Sequence, residues 1–169
     1  TPKYGGAWGI CAVRIPRGIV ENNTFANIVW YGVGVFGKES KGSVIRNNIC
    51  YDVNTSIIDR RDELLSGNPI IERNLNFKAR PSPSDRDIHG KDPLFIDPAN
   101  RNFRLKPGSP AIDAGTDGLD IGALEYPNVY YVDPRHPGAD DEGFGYAGWP
   151  FKTVGAALRM ARPGETVVL

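Results

Sequence analysis

Three segments of this chain superimpose without a gap: Gly18-Ile19-Val20-Glu21-Asn22-Asn23-Thr24-Phe25, Ser43-Val44-Ile45-Arg46-Asn47-Asn48-Ile49-Cys50 and Pro69-Ile70-Ile71-Glu72-Arg73-Asn74-Leu75, offset by 25 and then 26 residues. Such a period means stacked supersecondary units, each too small to bury an apolar face alone. Between the copies lie further β-branched runs, Gly9–Val13, Gly32–Phe36 and Thr55–Ile58, at about the same spacing. Each repeat therefore offers two or three short strands separated by Gly, Asn or Ser turns. A leucine-rich repeat would need regular leucines and a helix per unit. No leucine precedes Leu64 and no helical pattern separates the strands, which leaves the coil of a parallel β-helix. Equivalent residues would then stack about 4.8 Å apart, and Asn23, Asn48 and Asn74 would form an internal ladder of side-chain amides.

Composition bounds the rest. At 169 residues the chain has about one domain's length. Twenty Lys+Arg balance twenty Asp+Glu, so there is no broad basic footprint for a phosphate backbone, and nucleic acid is not an expected partner. No run approaches the roughly 18 apolar residues of a membrane-spanning helix. The first residue is Thr1, as expected of a processed or excised chain. Twenty Gly and 14 Pro fit many turns between short strands. Cys11 and Cys50 both sit in apolar runs, as buried thiols or as a disulfide in an oxidising compartment.

With these blocks in view, the chain resembles secreted right-handed parallel β-helix proteins of the pectate-lyase-like superfamily. The coil pattern is the first block. The second is Asp92-Pro93-Leu94-Phe95-Ile96-Asp97-Pro98 with Asn102–Leu105, Gly108–Gly115 and Asp120–Tyr126, similar to the stretch that closes such helices. The third is Tyr130–Pro134 followed by Pro150–Val154 and Ala161–Leu169, similar to the opening of such a domain. The fold class expected is all-β: a right-handed parallel β-helix of a few coils, with one short amphipathic capping helix near the C-terminus. Residues 1–79 are expected as coils, 80–128 as the closing segment, and 129–169 as an N-terminal-cap-like segment. In the last of these, Val154, Ala157, Leu158 and Ala161 share a helical face, Pro163-Gly164 stops the helix, and Thr166–Leu169 begins a strand.

The third block comes first in the family, so an end here precedes a beginning. Three arrangements follow: a fragment across two tandem domains, a circular permutant, or a subunit that docks head to tail into a fibre. The resemblance implies a secreted or cell-surface protein that binds an acidic or complex polysaccharide, or processes it by β-elimination or hydrolysis. The competing expectation is a non-catalytic structural solenoid whose partners are other copies of itself or an adjoining β-helix domain.

A lyase of this kind needs a basic side chain to take the proton beside a uronate carboxylate and a cation to neutralise that carboxylate. The outward row Glu21, Arg46, Glu72 reads instead as a ladder of alternating charge. The densest polar group is Asp59-Arg60-Arg61-Asp62-Glu63, directly after a strand. Arg60 and Arg61 are the catalytic candidates, with Asp59, Asp62, Arg14 and Arg17 as substrate contacts; a solvated turn would explain the same residues. His89 and His136 have no zinc-ligand spacing and read as surface-loop residues. No cofactor is implied firmly. Ca²⁺ is a candidate at Asp113, Asp117 and Asp120 or at Asp140-Asp141-Glu142, although Asx turns account for both groups. Trp8, Trp30, Tyr31 and Tyr51 recur near strand ends, where they stack on sugars or pack internally.

Overall fold

A computed structural model of the chain describes residues 9–13, 16–36, 41–59, 68–123, 129–161 and 165–169. The chain is mostly strand, with one α-helix among the described residues, and divides into two compact units, Thr1–Glu125 and Tyr126–Leu169.

In the first unit β1 (Ile10–Val13), β2 (Ile19–Glu21), β3 (Thr24–Phe36), β4 (Val44–Arg46), β5 (Ile49–Asp59), β6 (Ile70–Glu72), β7 (Leu75–Arg80) and β8 (Ile88–His89) follow one another along the chain. β1 to β7 sort alternately into two sheets and β8 adds to the larger, giving β1-β3-β5-β7-β8 and β2-β4-β6, with every pairing parallel. The sequence repeat is the pairing register. Val20 faces Ile45, which faces Ile71, and Glu21 faces Arg46, which faces Glu72. Alternation along each short strand turns one side chain inward. Val20, Ile45 and Ile71 therefore join Phe25, Val33, Val35, Cys50, Val53 and Ile57 in a single core.

The strands are fewer and longer than expected. The runs Gly32–Phe36 and Thr55–Ile58 are not separate elements but the far ends of β3 and β5. The chain turns at residues with left-handed backbone, and these also recur with the repeat: Arg17, Gly42 and Asn68; Asn22, Asn47 and Arg73; Asn27, Asp52 and Lys78. A side chain in that region costs about 1–2 kcal/mol, least for Asn and Asp, which explains why Asn crowds these corners.

The ladder lies just after the middle corner. Asn23 Nδ2 donates to Asn48 Oδ1 (3.0 Å) and Asn48 Nδ2 to Asn74 Oδ1 (3.0 Å). Each receiving oxygen also accepts the previous residue's backbone N–H, at 3.1 and 3.0 Å. The fourth member is Asp87, whose Oδ1 accepts from Asn74 N (2.9 Å) and Nδ2 (3.1 Å). A carboxylate only accepts, so the donor chain stops there, and Ser82 Oγ donates to the other oxygen.

Beyond β8, the antiparallel pair β9 (Phe95–Asp97) and β10 (Asn102–Leu105) precedes a strap that runs back along the middle corner. Arg73 Nη1 donates to Gly115 O (3.1 Å), Asn47 Nδ2 to Thr116 Oγ1 (2.8 Å), Gly122 N to Asn47 O (2.8 Å), and Ala123 N to Thr24 Oγ1 (3.1 Å). The strap thus travels against the order of the repeats. It covers Ile49, which is buried although it lies outside the core cluster.

In the second unit β11 (Val129–Tyr131) pairs in parallel with β12 (Thr166–Val168), and α1 spans Val154–Met160. The core is Tyr130, Val132, Phe151, Ala156 and Ala157, with Met160 and Ala161 against it. Of the expected helical face Ala157 and Ala161 do pack inward, and the other half is corrected: Val154 and Leu158 point outward, Leu158 at 64% exposure. Tyr130 and Phe151 fill the unit, so the helix approaches through Ala156, Ala157 and Met160 and turns Val154 and Leu158 away. Thr153 caps the helix, its Oγ1 accepting from Ala156 N at 3.2 Å. Asp141 in turn accepts from Thr153 N at 2.8 Å and Oγ1 at 2.9 Å. No helix among the described residues is long and apolar enough to cross a membrane.

The disulfide alternative is also corrected, since Cys50 is a free, buried thiol. Its row runs Phe25, Cys50, Asn76, whereas Cys11 stands in the row of Gly34 and Ile58.

Candidate functional site

Four residues after each ladder Asn the chain reaches the third corner, Asn27, Asp52 and Lys78. Strand pairing resumes with Ile28 facing Val53 facing Ala79, and then with Tyr31 facing Thr55 facing Arg80. Between those two rows β3 carries two extra residues, Val29 and Trp30, β5 carries one, Asn54, and β7 carries none. Such bulges bend the strands that carry them, β3 more than β5. The result is an open groove of about 620 Å³ lined by residues 27–29, 52–54 and 78–80.

Buried Val53 forms its floor, and half-buried Ile28 and Ala79 pack on the core beneath. Val29, 63% exposed, walls one end, next to Trp30, which meets Tyr31 edge to face at 6.2 Å. At the other end Lys78 Nζ lies 5.8 Å from the Tyr51 ring centre and 5.6 Å from that of Phe77. Those rings belong to an aromatic group with Phe95 and Phe103. Cation–π attraction thereby holds the ammonium at the rim. Among the described residues neither Lys78 nor Arg80 forms an ion pair, and Asp52 accepts no hydrogen bond. Strand by strand the groove is neutral, singly negative and doubly positive.

Of the residues singled out in the sequence, Arg14, Arg60, Arg61 and Asp62 lie outside the described residues, as does Trp8. Asp59 ends β5, its backbone facing Val35. Arg17 occupies the first left-handed corner, its N–H donating to Lys41 O at 3.2 Å, and is not part of the groove. The charge ladder is partly rearranged. Arg46 Nε pairs with Glu21 at 2.8 Å, but Glu72 pairs with Arg86 at 3.2 Å, because the turn after β7 brings that guanidinium alongside. His89 is not a loop residue: it extends the large sheet in β8, where its Nδ1 accepts from Asn76 Nδ2 and its Nε2 donates to Ser84 O. His136 lies in a turn, its Nδ1 accepting from Gly138 N at 3.1 Å. Asp120 accepts from Asp113 N at 2.9 Å and Asp140 from Glu142 N at 3.1 Å, both local turn bonds. Among the described residues no three His, Cys, Asp or Glu side chains gather as a metal site.

The segments aligned in the sequence end at Phe25, Cys50 and Leu75, short of Asn27, Asp52, Lys78 and Arg80. Continuing the same gapless alignment to the fourth residue after each ladder Asn brings the first three into one column. Neither a family model, a curated protein nor a solved structure matches the chain.

Proposed function

We propose that the first unit is a stack of right-handed parallel β-helix coils in a secreted protein, and that it binds an acidic polysaccharide across the groove of Asp52, Lys78 and Arg80. The 25- and 26-residue parallel register, the absence of helical crossovers among the described residues and the Asn ladder support the coil reading. One observation carries the binding reading. Three successive repeats build one open groove that ends in two cations with no carboxylate partner among the described residues. A guanidinium and an ammonium hold sugar carboxylates by charge-assisted hydrogen bonds. Asn27 and Asn54 offer amides to hydroxyls, and Val29 offers apolar surface to a sugar's C–H face. Binding is the function this geometry supports; β-elimination would need Lys78 or Arg80 to act also as base.

Titration calorimetry of the full chain against a polyuronate and a neutral glucan tests this. The polyuronate is expected to bind and the glucan not. Lys78→Ala/Arg80→Ala is expected to weaken binding at least about tenfold, as loss of two charged hydrogen-bonding groups implies. Equal binding of the glucan, or an unaffected double variant, refutes the reading. Growth of unsaturated-product absorbance with the polyuronate would add lyase activity to it.

A further inference from the structure

We infer that the groove selects a heteropolymer in which acidic sugars alternate with uncharged ones over a homopolymer of acids, an inference that rests on the groove being the polysaccharide site. A sugar ring is about as long as the roughly 4.8 Å step between neighbouring strands. A chain lying across β3, β5 and β7 therefore sets successive sugars over successive strands. The strands meet it with unlike charge: Asn27 and Val29 first, then Asp52 and Asn54, then Lys78 and Arg80.

An acidic sugar over β7 finds both cations. The neighbouring sugar lies over Asp52, whose carboxylate has no hydrogen-bond donor or cation on it among the described residues. The ammonium of Lys78, which lines the same groove, is drawn instead over the Tyr51 and Phe77 rings. A second acid at that step would meet like charge, whereas a hydroxyl or acetamido group would donate to Asp52 and pair with Asn54. In a homopolymer of acids the repulsion cannot be avoided by sliding the chain, because every sugar carries the charge. In an alternating polymer one register satisfies both strands.

The test uses the full chain at low salt with three probes: polygalacturonate, hyaluronan as an alternating uronate and N-acetylhexosamine polymer, and dextran. Wild type is expected to bind hyaluronan about two- to fivefold more tightly than polygalacturonate, the range for one exposed like-charge contact. High salt should erase the preference. Asp52→Asn keeps a side chain tolerant of the left-handed corner. It is expected to raise polygalacturonate affinity by the same factor and leave hyaluronan within about twofold. Polygalacturonate binding as tightly in wild type, or Asp52→Asn raising both affinities equally, overturns the selectivity while leaving the groove reading intact. If Lys78→Ala/Arg80→Ala leaves every affinity unchanged, or dextran binds equally, the groove reading itself falls and the selectivity with it.

Discussion

Exchanging amide for acid at two positions of the ladder should have opposite consequences, although both changes alter the same few atoms. Asn48 is fully buried and makes five side-chain hydrogen bonds. Two are accepted from Asn23, and the two Nδ2 hydrogens are shared among three acceptors, Val20 O (2.9 Å), Arg46 O (2.8 Å) and Asn74 Oδ1 (3.0 Å). Asn48→Ala removes all five and strands Asn23 N. At about 1 kcal/mol net for each of the four hydrogens involved, and about 1–3 for an orphaned buried group, the cost is roughly 5–7 kcal/mol. Asn48→Asp keeps the two accepted bonds but points a buried charge at three oxygens. The several-kcal/mol penalty of an uncompensated charge makes it at least as damaging, a large share of the 5–15 kcal/mol that holds a domain. Asp87 accepts only, so Asp87→Asn retains the bonds from Asn74 N and Nδ2 to Oδ1 and its new amide donates to Ser82 Oγ, at the loss of the longer 3.3 Å contact from Asn74 Nδ2 to Oδ2. It should cost about 1 kcal/mol or less. Urea unfolding at neutral pH, followed by far-ultraviolet circular dichroism, gives both differences by linear extrapolation. A stability loss for Asp87→Asn equal to that for Asn48→Asp would refute the directional account.

Other outcomes follow from single sites. Gly122 has φ +113 and an added Cβ would lie 2.8 Å from Ile49 Cδ1, whereas Gly118 has φ +74 and open space around it; Gly122→Ala should cost at least about 2 kcal/mol and Gly118→Ala about 1, read from urea midpoints. Desolvation raises the Asp141 carboxyl, but donations from the Thr153 backbone and hydroxyl and from Lys152 N–H outweigh it and hold the carboxyl below its ordinary value. Its contribution is therefore present above the ordinary carboxylate range and lost as pH falls through the lowered value; an acid titration of stability should show this component in wild type and not in Asp141→Ala. Burial, with the Asp87 charge adding, pushes the Cys50 thiol far up, so a thiol reagent should leave Cys50 unmodified in the native chain and label it in urea, as peptide mapping would show.

The parallel register was readable because a gapless repeat in sequence becomes a hydrogen-bonded row in space. The ladder's end was not, because Asp87 follows Asn74 by 13 residues rather than 25 or 26 and is joined to it by geometry alone. The helix face was misread for a related reason. Periodicity finds which residues share a side, but in a two-turn helix the bulk of Tyr130 and Phe151 decides which side is buried. The groove needed the three left-handed residues Asn27, Asp52 and Lys78, which have no common chemistry and so no motif. Lys78 in particular reads as an ordinary surface lysine until the fold brings the Tyr51 and Phe77 rings beneath it.

The extra residues at the groove, two in β3, one in β5 and none in β7, stand between rows whose pairing continues on both sides. Residue number at this point is therefore uncoupled from the register that holds the core. A lineage could lengthen or shorten one bulge by a single codon, widening or closing the groove, while Val53, the Asn ladder and every buried row stayed where they were. Binding specificity in such a stack can drift by insertion and deletion, changes that would wreck an ordinary sheet.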